Sequence, residues 1–207
     1  MLYWLLRYYY KIKPKFLGRL FKFFFVHKNL RIGKNFQCDS FPKTLIDKEA
    51  KVEIGDNVIF RRNVEVRAHN QSVLKIGSHC RIDRGVRLLA ANDAKLVLEN
   101  GVRVGLYTVF NGGDSISIGE KTLISGFVYL QTSMHNYKGE GTIQAQGYAH
   151  SPISLGEDNW IGTHAVIFPG VSLGRKCIVG SNSVVNKSFE ENSVLAGSPA
   201  ILLKNRN

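Results

Sequence analysis

The chain has 207 residues, 44% of them hydrophobic, with 20 glycines and only five prolines. This size and composition suit one globular, turn-rich domain with an appendage, and they exclude a disordered or proline-linked chain. A formal net charge of +12 favours an acidic partner, such as a phosphorylated ligand or an anionic membrane. Nucleic acid would also explain the charge, but no recognised binding module accompanies it, so we expect no nucleic-acid partner.

Residues 1–28 combine aromatic and aliphatic residues with basic ones and contain no acidic residue. Arg7 interrupts the apolar run and no uncharged stretch approaches ~20 residues, which favours neither a secretory signal nor a membrane-spanning helix. Pro14 should divide the segment into two short helical pieces, because its ring blocks a helix interior. We therefore expect residues 1–30 to form a basic, aromatic, helical segment. Its basic residues are Arg7, Lys11, Lys13, Lys15, Arg19, Lys22 and Lys28.

Two compatible interpretations of this segment remain open. In one, it caps the first coil of the following domain and leaves its basic residues in water. In the other, residues 1–28 bind an anionic membrane surface, with aromatic rings at the headgroup level. We expect a cytoplasmic protein, and the second interpretation would make it peripheral on the inner face of the membrane.

A six-residue repeat fills residues 31–190 and is most regular between Ser151 and Val185. An amphipathic helix repeats near 3.6 residues and a strand alternates with period two, so neither explains a six-residue period. Short strands joined by similar corners do explain it, which predicts an all-β parallel β-helix whose stacked coils bury one aliphatic column. The aliphatic residues that mark the period are Leu155, Ile161, Ile167, Leu173 and Val179.

The earlier coils are longer than the later ones. Successive coils are offset by 22 residues from Ile54 to Ile76 and again to Leu98, but by 18 from Leu155 to Leu173. The surplus residues fall in polar clusters with turn composition, which we expect to bulge out at one corner of each coil. These clusters are residues 68–72, 91–94 and 111–114.

The largest interruption lies between Ile118 and Leu155, which are 37 residues apart. One coil accounts for eighteen of these residues, so an excursion loop is expected over about residues 132–152. Loops of this length in a regular domain are usually functional or disordered, and the histidines and tyrosines here favour function. Residues 191–207 should form a last turn and a basic tail.

This arrangement resembles the hexapeptide-repeat acyltransferases, in particular their sugar and polysaccharide O-acetyltransferase branch. The resemblance covers roughly residues 52–204. It implies a left-handed parallel β-helix, a homotrimer, acetyl-coenzyme A (acetyl-CoA) as donor and no metal. Its most specific motifs are the Ile118-Gly119 hexad followed by His135, the run 153–162 with Trp160, Phe168-Pro169-Gly170-Val171, and Ala196-Gly197-Ser198-Pro199-Ala200.

The resemblance implies an O-acetyltransferase that modifies a hydroxyl of a cell-surface polysaccharide or of its lipid-linked sugar precursor. A sugar hydroxyl is a poor nucleophile, and a histidine can take its proton near neutral pH. His135 is the implied general base of a direct transfer. The group that orients its imidazole is left open between Glu140, Asp114 and a backbone carbonyl. The implied donor-binding residues are Trp160, Thr163, Ser181, Asn186, Lys187 and Lys204. The implied acceptor-binding residues are Asn111, Asp114 and Tyr137.

One position departs from the family pattern. Ile201 stands where the commoner motif has a basic residue, so Arg206 or Arg175 would have to supply that phosphate contact. His150 shares the excursion with His135 and is a secondary candidate for substrate contact.

Other functions remain open at this point. A related enzyme could acetylate a small molecule, such as an amino sugar, a free sugar or an antibiotic. A zinc enzyme of the carbonic-anhydrase type needs three converging histidines, and the spacing of His135, His150 and His164 does not match. A β-helical scaffold without activity would bind no coenzyme A. Three separated cysteines, Cys38, Cys80 and Cys177, indicate small core or surface thiols rather than disulfides.

Overall fold

Three parallel β-sheets form the faces of a triangular prism in this computed structural model, which describes residues 2–206 except for the side chains of Leu2 and Tyr8. Each coil contributes one short strand to each sheet in turn. Strands of successive coils pair in register, as in the alignment of Val52 with Leu74 and of Leu74 with Leu96. The expected all-β parallel coil architecture is confirmed.

The strands are numbered in chain order. The first sheet contains β1 (Leu30–Ile32), β4 (Lys51–Ile54), β7 (Val73–Ile76), β10 (Lys95–Leu98), β13 (Ile116–Ile118), β18 (Ile153–Leu155) and β21 (Ser172–Leu173). The second contains β2 (Gln37–Cys38), β5 (Ile59–Phe60), β8 (Arg81–Ile82), β11 (Arg103–Val104), β14 (Leu123–Ile124), β19 (Trp160–Ile161), β22 (Ile178–Val179), β24 (Ser193–Gly197) and β25 (Ala200–Asn205). The third contains β3 (Lys43–Ile46), β6 (Glu65–Ala68), β9 (Arg87–Ala90), β12 (Val109–Gly112), β15 (Tyr129–Gln131), β20 (Val166–Ile167) and β23 (Val184–Val185).

The core is a single apolar column, mainly aliphatic, inside the prism. Side chains alternate inward and outward along each strand, so that Val66 and Ala68 are buried while Glu65 and Arg67 face outward. Burial of a complete side chain of this kind stabilises a fold by about 1.5–3 kcal/mol. No single coil could bury its own inward face, so the column depends on stacking.

The surplus residues of the early coils all lie at the edge between the third and first sheets. They do not bulge out as loops. The His69 and Gln71 amides donate to the carbonyls of Ala90 and Asn92 in the next coil, so the surplus lengthens the strands and adds a paired turn. Because successive coils carry extra segments of similar length, these segments stack and their backbone groups form hydrogen bonds with each other. An isolated bulge would leave the same groups to water.

One continuous helix, α1 (Leu2–Phe25), precedes the first coil, so the prediction that Pro14 divides it is wrong. Pro14 is buried on the helix face that also contains Gly18 and Phe21. The Phe21 ring lies 6.1 Å from that of Phe36 in the first coil. Packing against the first coil thus offsets the hydrogen bond that proline cannot make. Among residues 2–206, no helix is both long and apolar enough to cross a membrane.

The excursion is an ordered arm at the edge between the third and first sheets. Two antiparallel strands, β16 (Ser133–His135) and β17 (Tyr148–His150), form its stem. A short 3₁₀ turn, Ile143–Gln146, closes its tip, where the Thr142 side chain accepts a hydrogen bond from the Ala145 amide.

The C-terminal segment also differs from its prediction as a turn and tail. Strands β24 and β25 form an antiparallel hairpin that covers the last coil of the second sheet. A hairpin here pairs the exposed backbone edge that the final coil would otherwise present.

Candidate active site

The arm presents His135 at its stem. The backbone pairs His135 with Tyr148 across the two strands, and their ring centroids are 4.2 Å apart. Both side chains are exposed, so the imidazole is open to a substrate while the tyrosine ring limits its orientation. Because His135 lies only three residues beyond Thr132, it stays within ~10 Å of the prism edge.

A hydrogen bond between Ser133 and His150 closes the root of the arm. The Ser133 Oγ and His150 Nδ1 atoms are 2.8 Å apart. Both groups pack on Gly113, where an added Cβ would lie 2.9 Å from His150 Nδ1. Sequence reasoning named His150 only as a secondary candidate and did not find Ser133, because their pairing depends on the register of the arm strands.

The predicted acceptor residues surround this root, except for Tyr137. Asp114 is fixed by its neighbours, since its amide donates to Thr132 Oγ1 at 3.0 Å and its Oδ1 accepts from the Ser115 amide. Asn111 lies on β12 of the third sheet, where its Nδ2 donates to the Tyr129 hydroxyl at 3.3 Å. Tyr137 is exposed farther along the arm.

Neither acidic candidate for orienting His135 contacts it in the described part of the chain. Asp114 uses its carboxylate on Ser115, and Glu140 is exposed near the tip of the arm. The Tyr148 ring is the orienting contact that the structure shows.

Trp160 lies on the second sheet with its indole turned outward and 52% exposed. Its Nε1 donates to Ser125 Oγ at 3.2 Å, which holds the ring against the neighbouring coil. Thr163 and Ser181 follow at the edge between the second and third sheets, one coil apart. Thr163 Oγ1 donates to the Gly126 carbonyl at 2.8 Å. A fixed, exposed aromatic beside small polar residues is a suitable wall for a mixed polar and apolar ligand.

An aromatic stack that sequence reasoning missed lies along the same edge. The Tyr107 and Phe127 rings are 5.5 Å apart, and Phe127 and His164 are 4.9 Å apart and nearly parallel. All three residues have positive φ, near 53°, 60° and 58°. The signal was available in their equivalent positions within successive coils, but aromatic residues rarely adopt this backbone conformation.

The remaining residues predicted to bind the acetyl donor, one asparagine and two lysines, lie near the C-terminal end of the prism. Asn186 and Lys187 follow β23, and the Lys187 Nζ lies 5.4 Å from the Phe189 ring centroid. Lys204 is exposed on β25. The two arginines considered as substitutes are engaged in ion pairs, Arg206 with Asp158 at 3.4 Å and Arg175 with Glu191 at 2.5 Å.

One chain does not bring these groups together. The arm leaves the edge between the third and first sheets, which is the edge opposite the second sheet, and Trp160 lies on that sheet. The filled core of the prism therefore separates His135 from Trp160 within a single copy.

The cysteines take no part in this site. All three are buried and free, as expected of small core thiols. Burial is the main cause that raises the pKa of Cys38 to about 12 and of Cys80 to about 11, and it also raises that of Cys177. Among residues 2–206, no three His, Cys, Asp or Glu side chains are grouped as a metal site would require.

Comparisons with known proteins define the class. Residues 152–187 match the family model described as bacterial transferase hexapeptide (six repeats). A variant of AntD, an N-acyltransferase from Bacillus cereus in complex with dTDP and coenzyme A, has the same fold with a TM-score of 0.64. It is 22% identical, and the match covers 91% of this chain and 88% of that one. The fold is thus the expected left-handed β-helix, and residues 152–187 contain the hexapeptide repeats of that transferase family.

Two similar curated proteins are named as acetyltransferases. A probable acetyltransferase of Mycobacterium tuberculosis is 30% identical over 72% of this chain. The putative lipopolysaccharide biosynthesis O-acetyl transferase WbbJ of Escherichia coli is 28% identical over 67% of it. The chain spans 50% of the length of the mycobacterial relative and 74% of that of WbbJ.

Proposed function

We propose that the protein is an acetyl-CoA-dependent O-acetyltransferase acting on a hydroxyl of a cell-surface polysaccharide or its lipid-linked sugar precursor. The observation that carries the proposal is the exposed His135 on an ordered arm at the position the family motif predicts. The relative WbbJ, named for lipopolysaccharide biosynthesis, supports a glycan acceptor.

The acceptor residues act at the arm. The His135 imidazole takes the proton of the sugar hydroxyl, which makes the oxygen a competent nucleophile. Tyr148 holds the imidazole in place through ring contact. Asn111 and Asp114 bind neighbouring hydroxyls of the sugar, and Tyr137 covers it from the arm.

The donor residues fit a coenzyme A thioester. Acetyl-CoA would supply the activated acetyl group. Trp160 provides a rigid exposed wall, while Thr163 and Ser181 offer hydroxyls along the adjacent edge. Lys187 and Lys204, with Asn186, supply donors and positive charge for its phosphates, since lysine binds phosphate as a point charge.

Three copies would complete the site. Because the core separates His135 from Trp160 in one chain, we propose a homotrimer in which the arm of one copy meets the second sheet of the next. A closed threefold ring uses two different patches of each copy, and here one patch is the arm and the other contains Trp160.

The first test is thiol release from acetyl-CoA in the presence of candidate glycans, free sugars, amino sugars and an antibiotic. Loss of a positioned base should lower turnover by ~10²–10⁴ in His135→Ala. His79→Asn is the matched control, because His79 lies at a distant corner with a φ of 63° that asparagine also adopts. Undiminished turnover in His135→Ala would remove the assignment of the base. Turnover with a small molecule and none with glycans would instead indicate an acetyltransferase of small molecules.

A further inference from the structure

Helix α1 has two parts with different surroundings. Its C-terminal half packs on the first coil through Pro14, Gly18 and Phe21, which are buried. From Tyr3 to Ile12, every side chain that the structure describes is exposed. At 1.5 Å per residue, this free half extends ~15 Å. Helices in proteins gain most of their stability from packing of an apolar face, so a half without such packing among the described residues is expected to have an outside partner.

Helix α1 has a broad exposed apolar face that extends from its free half into its packed half. The residues concerned follow helical spacing, so they lie on one side of α1, away from the side that packs on the coil. Trp4, 68% exposed, lies on a different side of the helix, where the Arg7 guanidinium is 5.9 Å from its ring centroid. A patch of this extent marks an interaction surface. Its members are Leu5, Tyr9, Ile12, Phe16 and Phe23, with exposures of 59%, 51%, 44%, 57% and 81%.

A basic stripe runs beside this face. Its members are spaced by four, four, four and three residues, which places them on one side of the helix. Like charges at this spacing repel by ~0.2–0.5 kcal/mol per pair, and residues 1–28 hold no acidic residue to offset them. An anionic partner would relieve that repulsion. The stripe consists of Arg7, Lys11, Lys15, Arg19 and Lys22.

The stripe ends in a cavity between α1 and the first coil. The cavity has a volume of about 420 Å³ and its polar lining is basic or amide in character. Lys22 Nζ donates to the Gly33 carbonyl at 2.6 Å, which anchors the side chain at the cavity wall. No carboxylate lines this cavity among the described residues. The polar lining residues are Lys15, Arg19, Lys22, Asn35, Gln37 and Asn57.

We propose that α1 docks the protein on an anionic lipid bilayer. The apolar face enters the headgroup region, and the basic stripe and cavity bind lipid phosphates. Tyrosine and tryptophan favour that depth because each has a polar group on an apolar ring, phenylalanine adds apolar area, and Lys and Arg keep their charges at the surface. The packed half of the helix fixes the domain to the docked half. This proposal stands independently of the acetyltransferase activity.

Vesicle flotation tests the proposal on the full chain. Phosphatidylcholine vesicles containing phosphatidylglycerol should carry the protein, and phosphatidylcholine alone should carry far less. The triple variant Lys15→Gln, Arg19→Gln, Lys22→Gln should lose roughly 100-fold in partitioning, since each basic residue near an anionic leaflet contributes about fivefold. The triple variant Lys51→Gln, Lys75→Gln, Lys95→Gln on the first sheet has the same charge change and should retain binding. Equal loss in both variants would reduce the effect to net charge and overturn the proposal.

Fluorescence tests the docking of the N-terminal part of α1, and serine substitutions test the apolar face. The chain has two tryptophans, Trp4 and Trp160, so Trp160→Phe leaves Trp4 as the sole reporter. Its emission should shift to shorter wavelength on anionic vesicles and be quenched by brominated lipid. The variant Leu5→Ser, Tyr9→Ser, Phe16→Ser should bind more weakly at unchanged molecular mass. An unshifted Trp4 emission would overturn the proposal, and a loss of oligomer in the serine variant would show that a second copy of the chain covers this face.

Discussion

Gly162 lies where two coils come closest at the edge that carries Thr163 and Ser181. An added Cβ would lie 2.6 Å from the Ser181 amide nitrogen and 2.7 Å from the Val179 carbonyl oxygen. Both are backbone atoms held by pairing between coils, so neither can move without disturbing the next coil. The glycine in this motif therefore sets the spacing of the edge on which the donor residues stand.

We expect Gly162→Ala to lower the free energy of unfolding by about 1–3 kcal/mol, the usual cost of forcing extra volume into a packed site. Chemical denaturation of the purified protein measures it. Gly139→Ala is the control, because its Cβ would approach only the side-chain amide of Gln146, with Oε1 at 3.1 Å and Cδ at 3.5 Å. A Gly162 variant as stable as this control would contradict the close approach of the two coils.

Residue positions were predictable where the six-residue period applied. Trp160, Thr163 and Ser181 fall on one sheet and its adjoining edge, as the period requires. The Ser133–His150 hydrogen bond was not predictable, because its partners are 17 residues apart and no turn dipeptide indicates a hairpin between them.

The third sheet carries a charge cluster centred on Glu65, whose side chain is 21% exposed. Lys43 on β3 lies 3.4 Å away, and Arg67 on the same strand also pairs with it. Arg87 on β9 reaches Glu65 Oε2 at 3.9 Å, and its Nε is buried without a hydrogen-bond partner among the described residues. Desolvation raises the pKa of Glu65, but Arg67 and Lys43 together outweigh it, so the net pKa is lowered.

A lowered folded-state pKa means that the ionised Glu65 stabilises the fold above its unfolded pKa, near 4.5. That contribution is lost as the pH falls through the lower, folded value. Glu65→Gln should therefore cost about 1–3 kcal/mol at pH 7, and its difference from the parent should shrink below pH ~4.5. Thermal unfolding across this range measures it. Glu53→Gln, at a carboxylate without an ion pair among the described residues, should show no such trend, and a constant Glu65 difference would contradict the lowered pKa.

At the scale of elements, the six-residue period predicted the strands. It predicted neither that α1 is unbroken nor that the chain ends in a hairpin. Pro14 indicated a break, but its burial against the first coil keeps α1 continuous. The hairpin of β24 and β25 was hidden because its outer strand, Ala200–Asn205, is exposed along most of its length and lacks the inward aliphatic period. Tertiary contacts overrode the local signal in both cases.

At the scale of the whole molecule, a site divided between copies predicts that two inactive variants complement each other. His135→Ala and Trp160→Ala should each be inactive alone. In trimers assembled from an equal mixture, a site with both wild-type residues needs an arm from one variant and a second sheet from the other. About a quarter of the sites should then be complete, and thiol release should recover to about that fraction.

The control is a mixture of the two variants that were each assembled separately and then combined without dissociation. It should remain inactive. An unrestored activity after mixed assembly would place both residues in one chain and contradict the threefold arrangement.

The number of stacked coils also sets the distance between helix α1 and the arm. Helix α1 packs on the first coil, and the arm leaves the fifth, since the first sheet reads β1, β4, β7, β10 and β13 up to that point. Four steps of ~4.8 Å set a height of up to ~19 Å between them. A chain docked through α1 would then reach hydroxyls well above the headgroups, which selects sugars far along a glycan over the first sugar on its lipid. Removing one coil, residues 52–73, puts Leu74 in the place of its register partner Val52 and would lower that reach by ~5 Å.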